Sequence, residues 1–252
     1  MKSKKLKKWT TLLTCATALT VMTACSQSGS QSTGTTSSTT SKTSAVTATT
    51  SKKTNKNNSN YFTSKDSDTS YNESSATKIK LSGSSADVSG DGASLSGSTV
   101  TISKAGTYVI SGKSDGVQIK VDAGDSDDVH IVLDGATMTN TNAAINATKA
   151  GHVYLTLKDG TTNTLSDSSS NSDEDADAVI FSKGDLTING SGTLNIDAKK
   201  NNGIKANDSL HMTGGTYKIS SVGDAFNVND ELNITGTTMT IEAEEDAVKV
   251  DN

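Results

Sequence analysis

From about Lys78 onward, apolar and polar residues alternate in short runs separated by Gly, Asp, Asn and Ser. Lys78-Ile79-Lys80-Leu81, Thr99-Val100-Thr101-Ile102, Thr107-Tyr108-Val109-Ile110 and Val117-Gln118-Ile119-Lys120-Val121 each send alternate side chains to one face, the two-residue period of a strand. Val129-His130-Ile131-Val132-Leu133 and His152-Val153-Tyr154-Leu155-Thr156-Leu157 continue the series. The intervening clusters carry turn chemistry. No window sustains a 3.6-residue apolar period, so the pattern predicts an all-β domain.

The runs also repeat one another. Asn202-Gly203-Ile204-Lys205, Asp224-Ala225-Phe226-Asn227 and Asp246-Ala247-Val248-Lys249 recur at intervals of 22 residues, with a looser copy at Asp177-Ala178-Val179. Each copy before the last is followed by two strand-like stretches around a glycine-containing turn, such as Glu231-Leu232-Asn233-Ile234 and Thr238-Met239-Thr240-Ile241. Several short strands per period of about 22 residues are the signature of a stacked β solenoid, here a parallel β-helix. A β-sandwich also has many short strands. It usually carries more large aromatics, whereas here small Ile, Leu, Val and Ala suit a narrow coil interior. The sequence stops one strand into a further coil, which predicts a domain incomplete at its C-terminus, over residues 77–252.

The N-terminal part has a different composition. Lys2, Lys4, Lys5, Lys7 and Lys8 precede a mostly apolar or small-residue stretch from Trp9 to Ala24, too short for a membrane span, which predicts an export signal over 1–24. Met22-Thr23-Ala24-Cys25 resembles a bacterial lipobox, making Cys25 the expected lipidation site and the membrane an expected partner. The protein is then extracellular and anchored to the cell surface. Residues 25–76 are rich in Ser and Thr and poor in large apolar residues, so a disordered linker is predicted there. Tyr61, Phe62 and Tyr71 stand in it as isolated aromatics. Past Cys25 there is no cysteine, and hence no disulfide.

The chain has 23 basic and 28 acidic residues, a net charge of −5. Setting the five lysines of the signal aside moves the balance to −10, which argues against a nucleic-acid partner. Stacked coils bring equivalent residues to about 4.8 Å. Asp177, Asn202, Asp224 and Asp246 should therefore form a column, where neighbouring carboxylates repel by about 1 kcal/mol in water. Calcium, with oxygen ligands at about 2.3–2.6 Å, fits such a column. Asp and Asn also favour turns, where they accept backbone N–H bonds. Asp173 and Asp175, in the loop Asp173-Glu174-Asp175-Ala176-Asp177, form a second calcium candidate, and Glu242, Glu244, Glu245 and Asp246 a third acidic cluster. Lys205, Asn227 and Lys249 share one position in their units. Tyr154 and Tyr217 alternate with apolar neighbours and are candidates for outward ligand contact, while Phe181 and Phe226 are expected in the core. His130, His152 and His211 lie on separate units and show no recurrent partner, so surface or turn-facing positions are expected. No Ser/His/Asp set, zinc spacing or phosphate loop is present.

Ile131-Val132-Leu133-Asp134-Gly135, the run Val153 to Leu165 and the run Phe181 to Leu194 resemble the carbohydrate-binding β-helix family of bacterial surface proteins, over roughly Lys78 to Asn252. The resemblance implies a right-handed parallel β-helix similar to polysaccharide lyases, bound calcium, and binding of cellulose or an acidic pectin-like polysaccharide without a need for cleavage. The expected ligand contacts are Lys205, Lys249, Asn227, Tyr154 and Tyr217, with no catalytic residue. Two alternatives stand beside this reading. One is a pectate-lyase-like enzyme using Lys205 or Lys249 as base. The other is a surface adhesin or spacer without a glycan ligand.

Overall fold

The computed structural model describes residues 48–49 and 61–251. The expected signal, the lipidation site Cys25 and the linker residues 25–47 and 50–60 lie outside the described residues.

The described chain is built from strands, with a single 3-10 turn at Lys65–Ser67. In chain order the strands are β1 (Ala48–Thr49), β2 (Thr77–Gly83), β3 (Ser85–Ser89), β4 (Ala93–Ser96), β5 (Thr99–Ile102), β6 (Gly106–Asp115) and β7 (Gln118–Asp122). They continue with β8 (Asp128–Thr139), β9 (Ile145–Lys149), β10 (His152–Leu157), β11 (Thr162–Ser166), β12 (Ala178–Ser182) and β13 (Leu186–Ala198). The last are β14 (Asn202–Ala206), β15 (Leu210–Ser221), β16 (Phe226–Val228), β17 (Leu232–Thr235), β18 (Thr238–Ala243) and β19 (Val248–Val250).

Two sheets alternate along the chain. The first runs β1-β18-β15-β13-β10-β8-β6-β2-β3, with β11 beside β13 and β8 and β17 beside β15; the second runs β19-β16-β14-β12-β9-β7-β5-β4. Pairing is parallel except where β2 meets β3, β4 meets β5 and β1 meets β18. The chain therefore returns to each sheet one strand further along, which is the solenoid that the repeats predict.

The core follows from register. On the first sheet Tyr108, Ile131, Leu155, Ile188, Met212 and Ile234 stand opposite one another in successive strands. On the second sheet the equivalent column is Val100, Ile119, Ile145, Ile180, Ile204, Phe226 and Val248. Apart from Val248, which is exposed on the last strand, both columns face the interior and merge into one apolar cluster. Apolar side chains stacked in register fill the coil interior, and each fully buried Ile or Leu contributes about 1.5–3 kcal/mol.

Long strands of the first sheet bend at glycines. Gly112, Gly190 and Gly214 have φ of +90°, +100° and +86°. A Cβ on Gly190 would lie 2.2 Å from Leu157 O, and one on Gly112 2.5 Å from Leu81 O. Only glycine both adopts this backbone and allows the neighbouring coil to approach so closely. The register shifts beside Gly112 and after Gly190 mark the same corners.

The linker boundary expected at residue 76 needs correction. Residues 61–76 form a strap that runs over the outer face of the first sheet, from β15 back to β2. Of these residues only Asp66 and Ala76 are buried.

Candidate functional site

On the second sheet the recurring residues do align. Lys205 stands opposite Asn227, and Asn227 opposite Lys249. The row continues through Phe181 and Asn146 toward Lys120. Lys205 is engaged: its ammonium lies 2.8 Å from Asp177 Oδ1, donates to Asp175 O at 3.2 Å and sits 6.0 Å from the Phe181 ring. Asn227 donates to Asp224 Oδ2 at 2.9 Å, and Lys249 is exposed on β19. Phe226 lies in the inner column as expected. Phe181 is buried on the other side of the sheet, in a small cluster with Ala143 and Ala176.

The acidic column has a different shape from the one expected. Asn202, Asp224 and Asp246 lie in register, but Asn202 pairs with Ala178, so Asp177 falls beside Asn201 and accepts its side-chain N–H. Asn202 Oδ1 accepts the N–H of Asp224 at 3.2 Å, and Asp224 Oδ1 accepts the N–H of Asp246 at 3.1 Å, each 22 residues on. These side chains therefore tie one turn to the next. In the neighbouring loop Asp173 Oδ1 accepts the N–H groups of Asp175 and Ala176. Among the described residues no three His, Cys, Asp or Glu side chains converge as a metal-holding group. The ladder oxygens fit backbone capping better than a cation held between coils. The loop, with Asp173, Asp177 and serine hydroxyls around one depression, offers calcium-type oxygen donors. Glu242, Glu244 and Glu245 are exposed on the last coil.

Tyr217 is corrected from ligand contact to core. It pairs with Leu194 and Met239 in the inward row and is fully buried. Its hydroxyl has no hydrogen-bond partner, and burial holds the phenol far above its usual range.

Tyr154 does face outward, on the first sheet. Its ring stacks on His152 with centroids 4.1 Å apart, and Lys65 of the strap lies 4.9 Å from its centroid. Register places Thr107, His130, Tyr154, Thr187, His211 and Asn233 in one outward row. The next outward row is Val109, Val132, Thr156, Asn189, Thr213 and Thr235. The three histidines thus share one face, which separate units did not suggest.

Hydrogen bonds run along this face from coil to coil. Thr156 donates to Asn189 Oδ1 at 2.6 Å, so its oxygen accepts from His130 Nε2 at 2.7 Å. Thr187 donates to Asp66 Oδ1 at 2.7 Å and accepts from His152 Nε2 at 2.9 Å. Asp66 gathers the bonds. It accepts the N–H of Thr63 at 2.7 Å and lies 3.3 Å from His211 Nδ1, while its carbonyl accepts from Thr213 and Asn189. Burial alone pushes the Asp66 carboxyl up, but the bonds from Thr187, Thr63 and His211 bring it below its ordinary value.

Beside the strap the face stays open as a groove of about 550 Å³. Gly190, Gly214 and Gly236 line it, with Thr156 of β10, Thr213 of β15 and Thr235 of β17. Ser67, Thr69 and Tyr71 of the strap wall it on one side, and Lys158, Asp159 and Ser191 line it as well. Lys158 is paired with Asp134 at 2.6 Å, and Ser191 donates to Asp159 at 2.6 Å. The groove is therefore rich in hydroxyls and nearly charge-compensated, crossing several coils. Its size suits an extended ligand. The sequence reading missed Lys158, Asp159 and Ser191; the recurring glycine turns were the available signal.

With this geometry in view, comparison with known proteins is informative. A family model described as "Carbohydrate-binding domain-containing protein" matches residues 96–252. A protein of that description from Acetivibrio thermocellus is 38% identical over 128 residues, covering 48% of this chain and 45% of its own length. The chain thus spans less than half of that curated relative. Among solved structures, the gadolinium derivative of the polysaccharide lyase-like protein from C. thermocellum superposes with a TM-score of 0.59 at 25% identity, covering 69% of this chain and 94% of that one.

Proposed function

The chain belongs to the family of carbohydrate-binding domain-containing proteins, and from that membership we propose that it holds a polysaccharide along the outer face of its first sheet without cleaving it. The observation that carries this reading is the groove beside the strap, where threonine hydroxyls and a glycine floor repeat from coil to coil. A polysaccharide repeats its hydroxyls along one axis, so a solenoid groove can bind successive sugars with successive coils.

The wider reading is a right-handed parallel β-helix at the cell surface, joined to the membrane through a lipidated Cys25. The basic and apolar N-terminus and the Met22 to Cys25 pattern support the anchor. Loss of membrane association in a Cys25→Ser variant tests it. Calcium assistance is part of the proposal, with Asp173 as the loop carboxylate that would hold the ion, since Asp177 is engaged by Lys205 and Asn201. Bound there, the ion would supply positive charge for an acidic glycan. The contacts of Lys205 with Asp177 and Asp175 O support binding without cleavage, since its ammonium is already committed to protein oxygens.

The direct test is titration of the full chain with hydroxyethylcellulose and with polygalacturonate, each with calcium and with EDTA. Saturable binding to one of them is expected, weakened about tenfold, or ~1.4 kcal/mol, by Lys158→Ala with Asp159→Ala. Absence of binding by the folded protein refutes the reading. A Lys205-dependent unsaturated product from polygalacturonate overturns its non-catalytic part. An unchanged melting temperature between EDTA and millimolar calcium removes the ion.

A further inference from the structure

The strap covers the part of the polar face that the groove leaves, and it does so with sugar-like chemistry. The face presents donors: Thr187 Oγ1, Thr213 Oγ1 and Asn189 Nδ2. What meets them are oxygens of Asp66 and Asp68. Aromatic edges complete the match, with Phe62 against His211 at 5.6 Å and Tyr71 against His130 at 6.1 Å.

Nothing in the strap is woven into the sheets. Its backbone-to-backbone bonds, from Asp66 N–H to Thr63 O, Asp68 N–H to Lys65 O and Ser75 N–H to Asn72 O, stay within the segment, while its Asp66 and Asp68 carbonyls accept only from side chains of the coils. It is held to the coils by side-chain contacts that another ligand can exchange one at a time. It is also largely exposed, and it lies outside the residues that the family model matches. The face is thus covered by a segment that precedes the matched residues.

We propose that residues 61–72 are a displaceable internal ligand, and that a polysaccharide entering the groove lifts them and continues across Tyr154, Thr187, Asn189 and Thr213. The proposal rests on the polysaccharide reading above. The strapped form binds in the groove alone, whereas the released form offers the whole face. The apparent affinity for a long chain is then lowered by the fraction of molecules that are strapped.

The test uses the full chain and the soluble polysaccharide that it binds best in the titration above. Asp66→Ala removes the buried anchor and Lys65→Ala the exposed contact with Asp128 and Tyr154. Each is expected to tighten binding, the first by about tenfold, because the competent fraction rises. Unchanged or weakened binding in folded variants overturns the proposal and makes the strap a fixed wall of the site. In the unmodified protein, saturating polysaccharide is expected to speed amide exchange at Asp66 and Asp68 about tenfold; slowed or unchanged exchange overturns displacement. Failure of the unmodified protein and both variants to bind refutes the polysaccharide reading, and the strap proposal falls with it. Binding that needs Lys158 and Asp159 but ignores the strap variants refutes the strap proposal alone.

Discussion

His130 and His152 sit where the coil resists charging them. Burial depresses both below the ordinary value of 6.5, against the pull of Asp68 on the first and Asp185 on the second. The unfolded chain takes up these protons near pH 6.5 while the folded chain does not, so stability is flat above that pH and falls as pH drops through the folded values. Asp66 acts lower on the scale. Its depressed carboxyl contributes stability that is complete above about pH 4 and is lost as pH falls through its folded value. The melting temperature should therefore drop between pH 7 and pH 5. His130→Gln, which keeps a donor for Thr156, should reduce that drop; an unchanged profile would assign the effect elsewhere. None of these partners was visible in the sequence. His130, His152 and His211 meet Thr156, Thr187 and Asp66 at separations of 26, 35 and 145 residues. The alternation around each histidine shows that it points outward, but not what stands opposite.

At the scale of elements, strands were legible and corners were not. Alternation reveals the face of β10 or β15 because burying one face requires it. The bend inside β13 depends instead on how closely two coils approach, which no local pattern records. Gly190 and Gly135 separate the contributions. Gly135 has φ of +71° with nothing within 4 Å of its would-be Cβ, so Gly135→Ala should cost about 1 kcal/mol for the backbone alone. At Gly190 the added carbon meets Leu157 O at 2.2 Å, and Gly190→Ala should cost about 3 kcal/mol or more. Urea denaturation measures both. Equal costs would mean that the neighbouring coil yields freely. The Asp/Asn column shows the same limit: its 22-residue spacing was readable, whereas the coil after β12 pairs Ala178 with Asn202, 24 residues on, and so puts Asp177 beside Asn201.

The whole molecule behaves as a stack in which each coil rests on its neighbours. Ile131 lies between Tyr108 and Leu155, so Ile131→Ala should cost about 2–5 kcal/mol. Val248, exposed on the last described strand, should tolerate the same change with less than about 1 kcal/mol. A similar loss at both sites in denaturant unfolding would contradict nearest-neighbour stacking. The architecture was legible because repetition restates it several times along the chain. The strap was not, since Ser, Thr, Asp and Asn in a row look like a solvated linker until distant hydroxyls meet them. Its long reach also bears on the order of folding. Asp66 bonds to Thr187, Asn189 and Thr213 across 121, 123 and 147 residues, so those partners do not exist until most of the chain has left the ribosome. Coils can assemble in sequence as they emerge, each templated by the one before. The strap precedes them all in synthesis, yet it can find its place only after β15 has formed, and its docking then marks the completion of the coils it spans.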